Sequence, residues 1–118
     1  MTPDYFDSVS NVVANEQATL RCSASSDINV DWYYQQCCEH LEHGMHLCAN
    51  PTKIATGTQY QIRRDAAGET NLLINGVGKN DTGIYVCKNH ATGHILSHWL
   101  LNVLSKYASE LFCLCKLS

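Results

Sequence analysis

The sequence contains little proline, no long hydrophobic run and no excess of basic residues. Only two of its 118 residues are proline and seven are glycine, which excludes a collagen-like or low-complexity chain. No apolar stretch approaches the roughly 18 residues that a membrane-spanning helix needs. The formal net charge of −3 gives no general attraction to nucleic acid or anionic lipid. We therefore predict no nucleic-acid partner and no membrane span within this chain.

Cysteine, by contrast, is abundant, with seven in 118 residues. Such a count is typical of an oxidising compartment, where cysteines serve as cross-links, and a cytosolic chain would need a metal or redox reason to keep them. Because seven is an odd number, at least one thiol is free or joined to another molecule. We expect an extracellular protein, either a cell-surface ectodomain or a secreted chain. The first ten residues lack the layout of a secretion signal, so we interpret the chain as a mature fragment.

Alternation of apolar and polar residues with a period of two dominates the sequence before Ser105. In the last such stretch, 94–103, it places Ile95, Trp99, Leu101 and Val103 on one inward side. Clusters of turn-forming residues separate the stretches, as at 66–69 and 78–81. No segment of ten or more residues before Ser105 has helical periodicity. Many short strands joined by turns predict an all-β sandwich or barrel.

Three features narrow this prediction. Cys22 and Cys87 both fall on inward positions of their predicted strands, 65 positions apart. Trp32 follows the first of these cysteines by ten positions and belongs to the next predicted strand. The segment 81–87 reads Asp-Thr-Gly-Ile-Tyr-Val-Cys, which places Tyr85 two residues before the second cysteine. This spelling is typical of a tyrosine corner.

Over roughly residues 8–104 these motifs resemble the immunoglobulin superfamily. The resemblance implies an antiparallel β-sandwich with Greek-key connections, of variable or intermediate type, that is pinned by a Cys22–Cys87 disulfide. It also implies a set of structural core residues, namely Trp32, Leu72, Asp81 and Tyr85. In this family Asp81 usually pairs with an arginine, and we expect Arg63 or Arg64 to be that partner. The segment 94–103 lacks a Phe/Trp-Gly-x-Gly joining signature, so the chain does not resemble a rearranged antigen receptor.

We divide the chain into an immunoglobulin-like domain, residues 1–104, and a C-terminal tail, residues 105–118. The tail is interpreted as a membrane-proximal stalk in which Cys113 or Cys115 links two chains. The alternative is a splice-derived or read-through end without a dedicated role. Asn80, Asp81 and Thr82 form an N-glycosylation sequon, so we predict a glycan on Asn80.

The segment 37–48 is unusual because three cysteines flank three histidines. We predict a second disulfide that joins Cys48 to Cys37 or Cys38. Zinc binding is an alternative, but the spacing matches no standard zinc motif, and zinc needs thiols that a secreted domain rarely keeps reduced. Free or intermolecular cysteines are a third interpretation. We predict neither a metal nor a cofactor.

We expect a protein-recognition domain of a cell-surface immune receptor or adhesion molecule, which binds a protein ligand or counter-receptor through its G-F-C-C′ face. The candidate contact residues are Tyr33, Gln35, Met45, His46, His90, Thr92, His94 and Ile95. The alternative is a structural or homodimerising module, or a secreted decoy, without a ligand site of its own. No nucleophile lies in a recognisable catalytic setting and the carboxylates are unpaired, so we predict no enzyme activity. Titration of His90, His94 and His98 could make binding depend on pH, although solvated loop histidines are the simpler interpretation.

Overall fold

The computed structural model describes residues 8–24, 28–40, 44–47, 50–66, 68–104 and 115–116. For 37–40, 44–47 and 115–116 this description covers the backbone alone. The described chain is all β, apart from one 3-10 turn at Lys79–Asp81. The strands, in chain order, are β1 Ser8–Val13, β2 Ala18–Leu20, β3 Val30–His40, β4 Gly44–Leu47, β5 Thr52–Lys53, β6 Tyr60–Arg64, β7 Thr70–Ile74, β8 Gly83–Asn89, β9 Ile95–Leu104 and β10 Cys115–Lys116.

The strands form two sheets that pack as a sandwich. The larger sheet has the order β1-β9-β8-β3-β4-β10, and β5 also pairs with β3. The smaller sheet has the order β2-β7-β6. The pairs β1–β9 and β4–β10 are parallel, whereas the other described pairs are antiparallel. The chain passes from one sheet to the other after β1, β2, β5 and β7, in keeping with the predicted Greek-key connections.

The core lies between the sheets and consists of the inward-facing residues of both. Cys22 and Cys87 form the expected disulfide, and both are fully buried. Trp32 lies directly opposite Cys87 in the pairing of β3 with β8, so its indole packs beside the bridge. The other fully buried apolar side chains are Leu20, Leu72, Ile74, Val77, Tyr85, Leu101 and Val103. Nearly all of them occupy positions that the period-two pattern predicts to point inward.

Asp81 organises the turn that precedes β8. Its carboxylate accepts a hydrogen bond of 2.8 Å from the backbone N–H of Gly78 and bonds of 3.2 Å from Nε2 of Gln59. Its backbone carbonyl accepts a 2.7 Å hydrogen bond from the hydroxyl of Tyr85. This last bond is the tyrosine corner that the motif predicted. It ties the start of β8 to the turn before it.

The expected partner of Asp81 was wrong, because neither Arg63 nor Arg64 reaches its carboxylate. Asp81 lies beside the beginning of β6, whereas the two arginines are the fourth and fifth residues of that strand. At about 3.3 Å per residue they are roughly 10 Å further along. Arg64 instead donates hydrogen bonds to the backbone carbonyls of Ile28 and Gly68.

The predicted orientation of Ile95 was also wrong. Ile95 is 50% exposed, whereas Leu101 and Val103 are fully buried. The pairing of β8 with β9 runs from Cys87–Ser97 to Lys88–Ile95 and so skips Leu96. This β-bulge shifts the phase of β9 by one residue, which turns Ile95 to the outward side.

Three tyrosines cluster around Asp81 at this end of the sandwich. The rings of Tyr34 and Tyr85 stack with their centroids 4.7 Å apart, and the hydroxyl of Tyr34 donates to the backbone carbonyl of Asn80. Burial raises the pKa of Tyr34, Tyr60 and Tyr85, and the carboxylate of Asp81 nearby raises it further. The folded protein therefore holds these hydroxyls in their protonated form.

This cluster predicts a loss of stability at alkaline pH. Below about pH 10 all three tyrosines are protonated in both states, so they add no pH dependence. Above that pH the unfolded chain releases protons that the folded chain retains. The free energy of unfolding should then fall by up to about 1.4 kcal/mol per pH unit for each tyrosine. Urea unfolding between about pH 8 and about pH 12 measures this slope. Tyr34→Phe should make the slope shallower, and an unchanged slope would contradict the interpretation.

Candidate functional site

The outward side of the larger sheet carries three rows of side chains, because residues that pair across strands point to the same side of a sheet. The first row contains Val9, Leu100, Ile84 and Gln35. The second row contains His98, Val86, Tyr33 and Lys53. The third row contains Ile95, Lys88 and Asp31. These residues together are called the outer face below.

An open cleft of about 190 Å³ lies on the outer face. Its lining residues are Tyr33, Gln35, Pro51, Ile84, Val86, Lys88, Ile95 and His98. Among the described residues, the exposed large apolar side chains are Val9 at 49% and Ile95 at 50%, and both belong to the outer face. Apolar surface that remains in contact with water is therefore concentrated on this side of the sandwich.

The outward side of the smaller sheet is different in character. Its outward positions are Thr19, Gln61, Arg63, Asn71 and Leu73. Leu73 is the one apolar member of that set. One outer surface is thus more apolar than the other. The stability of the core does not require this difference, since neither outer surface contacts the interior. A contiguous apolar surface with a polar rim is typical of an interaction site.

At one end of the outer face, some charged side chains have a partner of opposite charge and others do not. The carboxylate of Asp31 lies 2.8 Å from Nδ1 of His90 and 3.3 Å from Nζ of Lys53. The hydrogen bond with His90, together with Lys53, holds the pKa of Asp31 below its usual value. Nζ of Lys88 lies 4.7 Å from the centre of the Tyr33 ring, a cation–π contact. Lys88 has no carboxylate partner among the described residues.

The turn that joins β8 to β9 borders the outer face and is fixed by its own hydrogen bonds. The side-chain oxygen of Asn89 accepts bonds from the N–H groups of Ala91, at 2.9 Å, and Thr92, at 3.3 Å. The carbonyl of Asn89 accepts a 2.8 Å bond from Gly93, whose φ of +76° favours glycine. The turn therefore holds its exposed side chains on a defined backbone.

The structure brings part of the predicted contact set together. The cleft contains three of its members, Tyr33, Gln35 and Ile95. The turn after β8 contains three others, His90, Thr92 and His94, which are exposed and lie outside the cleft. The contact of any of these residues with a partner stays a prediction, and so does the pH-dependence hypothesis.

Sequence reasoning missed five residues of the cleft: Pro51, Ile84, Val86, Lys88 and His98. A signal for two of them was present in the stretch 84–88. Because Tyr85 and Cys87 point inward, Ile84 and Val86 must point outward. Apolar residues on both sides of one strand indicate that its outer side is also covered or binds something.

Several predictions fall wholly or partly outside the described residues. Cys48 and Cys113 are not described, and for Met45, His46, Cys37, Cys38 and Cys115 the description covers the backbone alone. The backbone of Cys37 pairs with that of Leu47, and the backbone of Cys115 pairs with that of Met45. The second disulfide, the interchain link and the stalk stay predictions.

Asn80 is exposed in the 3-10 turn at the start of β8. The turn with His90 lies at the other end of that strand, which is seven residues long. At about 3.3 Å per residue, the two ends are roughly 20 Å apart. The glycan on Asn80 stays a prediction, and it would lie at the end of β8 opposite to the turn with His90.

Metal-binding clusters and membrane-spanning helices are both absent from the residues that the structure describes. Within these residues, His, Cys, Asp and Glu side chains do not gather in groups of three or more that could hold a metal ion. Nor does the described part contain a helix with the length and hydrophobicity to cross a lipid bilayer.

The immunoglobulin V-set domain family matches this chain over residues 5–104. The chain therefore belongs to the immunoglobulin V-set family, and the variable type is the one of the two predicted types that the match supports. In the lettering of this family, β9, β8, β3 and β4 correspond to strands G, F, C and C′. No curated protein matches the chain closely enough to be counted as a relative.

Solved structures with the same fold are numerous, and three illustrate the likeness. A chain of the heterodimer of ZIG-8 and RIG-5 first immunoglobulin domains is 22% identical to this protein, with a TM-score of 0.55. The match covers 82% of this chain and 82% of that chain. The ZIG-8 homodimer of first immunoglobulin domains is 18% identical with a TM-score of 0.56, covering 88% of this chain and 84% of that chain. A structure of titin A168169 is 23% identical with a TM-score of 0.59, covering 86% of this chain and 47% of that chain.

Proposed function

We propose that this V-set domain recognises a protein partner through its outer face, as the extracellular module of a cell-surface receptor or adhesion molecule. The observation that carries the proposal is the concentration of apolar surface on one of the two sheets. Val9 and Ile95 are exposed there, and the cleft is lined by Ile95 together with Ile84 and Val86. The matching surface of the smaller sheet is mostly polar.

The composition of the cleft fits a protein partner. Apolar and aromatic side chains at the centre, with polar groups at the rim, are typical of protein–protein interfaces. Here Val86 and Tyr33 lie in the middle of the second row, His98 lies at the end of that row, and Gln35 and Lys88 lie in the rows on either side. The proposal is therefore a binding function without catalysis.

An extracellular location is supported by the buried Cys22–Cys87 disulfide, because such bridges persist in oxidising compartments. Two of the similar structures are dimers of immunoglobulin domains, one with a different partner and one with a second copy. They favour another immunoglobulin domain as the class of partner. They also support the second candidate function, a module whose role is to dimerise.

A charge placed in the centre of the cleft should abolish binding. We expect Val86→Asp to weaken binding at least about 100-fold, because it replaces an apolar contact at the centre of the interface with a charged group that binding would have to desolvate. Tetramers of the biotinylated domain, applied to a panel of cultured cell lines and read by flow cytometry, measure this effect. Since Val86 is half-buried and points away from the core, the variant should fold.

Leu73→Asp is the matched control, because Leu73 is half-buried on the outward side of the smaller sheet. It should leave binding unchanged. Equal losses in both variants would indicate damage to the fold, and wild-type binding by Val86→Asp would refute the outer face as the site. Sedimentation equilibrium of the unmodified domain separates the second candidate, which requires a dimer that Val86→Asp dissociates.

A further inference from the structure

The charges of the outer face do not balance among its described side chains. These include two lysines, Lys53 and Lys88, and one carboxylate, Asp31. The chain as a whole has a formal net charge of −3, so the described part of this surface is opposite in sign to the molecule. A positive surface on an acidic protein is a local feature that composition alone does not reveal.

The carboxylate of Asp31 already has partners within the domain. Both of its oxygens have partners, since Oδ1 of Asp31 lies 3.3 Å from Lys53 and Oδ2 lies 2.8 Å from His90. The register places Lys88 directly opposite Asp31, yet its ammonium group lies over the Tyr33 ring instead. The ammonium therefore stands at the edge of the cleft without a counter-charge from the described residues.

From this arrangement we infer that the partner presents an apolar side chain flanked by carboxylates, with the apolar group in the cleft and a carboxylate on Lys88. The inference rests on the proposed function and specifies the chemistry of its partner. A carboxylate above Lys88 would gain a charge-assisted hydrogen bond, and the Tyr33 ring would support the ammonium from below. Electrostatic complementarity of this kind fixes the choice of partner and accelerates association.

The same arrangement disfavours a second copy of the chain as the occupant. In a symmetric dimer through this face, the same patch occurs on both sides of the interface. Each Lys88 would then meet a surface whose described carboxylate, Asp31, is already bound to Lys53 and His90. Like charges brought together in an interface suppress that pairing. We therefore expect the domain to bind an acidic partner rather than itself through this face.

Three capped tripeptides test the inference: Asp-Phe-Asp, Ser-Phe-Ser and Lys-Phe-Lys. Titration of the ¹⁵N-labelled protein, followed by amide chemical shifts, should show the acidic peptide moving the signals of Val86, Lys88 and Ile95. Its affinity should exceed that of the neutral peptide at least about fivefold, and the basic peptide should not bind. Raising the salt concentration should reduce the difference.

Two charge-reversed variants provide the matched comparison. Lys88→Glu should abolish the preference for the acidic peptide. Arg63→Glu changes the net charge by the same amount on the outward side of the smaller sheet, and it should leave the preference intact. If both variants abolish it, the effect reflects overall charge and the inference is overturned.

The remaining outcomes separate the inference from the proposed function. Equal binding of the acidic and neutral peptides at the cleft would overturn the acidic preference but leave the outer face as a recognition site. Absence of all three peptides from the cleft would overturn the inference, while the cell-binding loss in Val86→Asp would still test the proposed function. A non-covalent homodimer that Val86→Asp dissociates and Lys88→Glu leaves intact would also overturn it.

Discussion

Replacing Cys22 and Cys87 together with alanine should lower the free energy of unfolding by about 4 kcal/mol in the loop-entropy description. The bridge closes a loop of 65 positions, and its removal lets the unfolded chain explore many more conformations. Domains of this size are stable by only about 5–15 kcal/mol, so the loss takes a large part of the total. Equilibrium unfolding in urea, followed by tryptophan fluorescence, measures it.

Reduction of the wild-type protein provides the control for this double variant. Both sulfurs are fully buried, so a reductant reaches them only when the sandwich opens. Under denaturing conditions with dithiothreitol, the wild-type protein should unfold with the midpoint that the double variant shows under the same reducing conditions. A double variant as stable as the oxidised wild type would show that the bridge contributes nothing to this fold.

Trp32→Ala should destabilise the domain by about 4 kcal/mol, within the range of about 3–5 kcal/mol for loss of a buried large aromatic side chain. Trp32 is fully buried beside the disulfide, so its truncation leaves a cavity between the two sheets. Its indole N–H has no hydrogen-bond partner among the described residues. The expected loss of unfolding free energy therefore comes from lost packing contacts and not from a lost hydrogen bond. Urea unfolding measures this loss.

Trp99→Ala is the comparison for this prediction. Trp99 is half-buried, and its indole N–H donates a 2.8 Å hydrogen bond to the carbonyl of Arg21. Its removal should cost about 2 kcal/mol, since less apolar surface leaves the core and one hydrogen bond is lost. If the two variants were equally destabilised, buried packing around Trp32 would not dominate its contribution.

Much of the fold follows from residues that a reader of the sequence can identify. The alternation around Leu20, Leu72 and Leu101 predicts their burial, and the Asp-x-Gly-x-Tyr-x-Cys segment predicts the bond from Tyr85 to Asp81. These features depend on neighbours within one strand or one turn. Local periodicity determines them because side chains of a strand alternate between its two sides.

The predictions that were wrong depend on register between strands, which local periodicity does not contain. Which residue of β6 lies beside Asp81 is decided by the alignment of the strands, and Tyr60, the first residue of β6, lies there rather than an arginine. The cleft was partly missed for a related reason. One of its lining residues, Val86, becomes a neighbour of Tyr33 and His98 only when three strands are aligned.

The bulge at Leu96 divides β9 into two parts, and the direction in which the side chains point is determined differently in each part. From Ser97 onward, the core dictates which residues face inward, and Leu101 and Val103 hold that phase. Before it, the phase is set by the hairpin turn, and Ile95 follows the turn. Insertions or deletions between Asn89 and Leu96 can therefore exchange the side chains offered to a partner while the interior stays as it is. Related proteins can therefore differ in the partner that this end of β9 contacts, while the buried residues of the same strand keep their positions in the core.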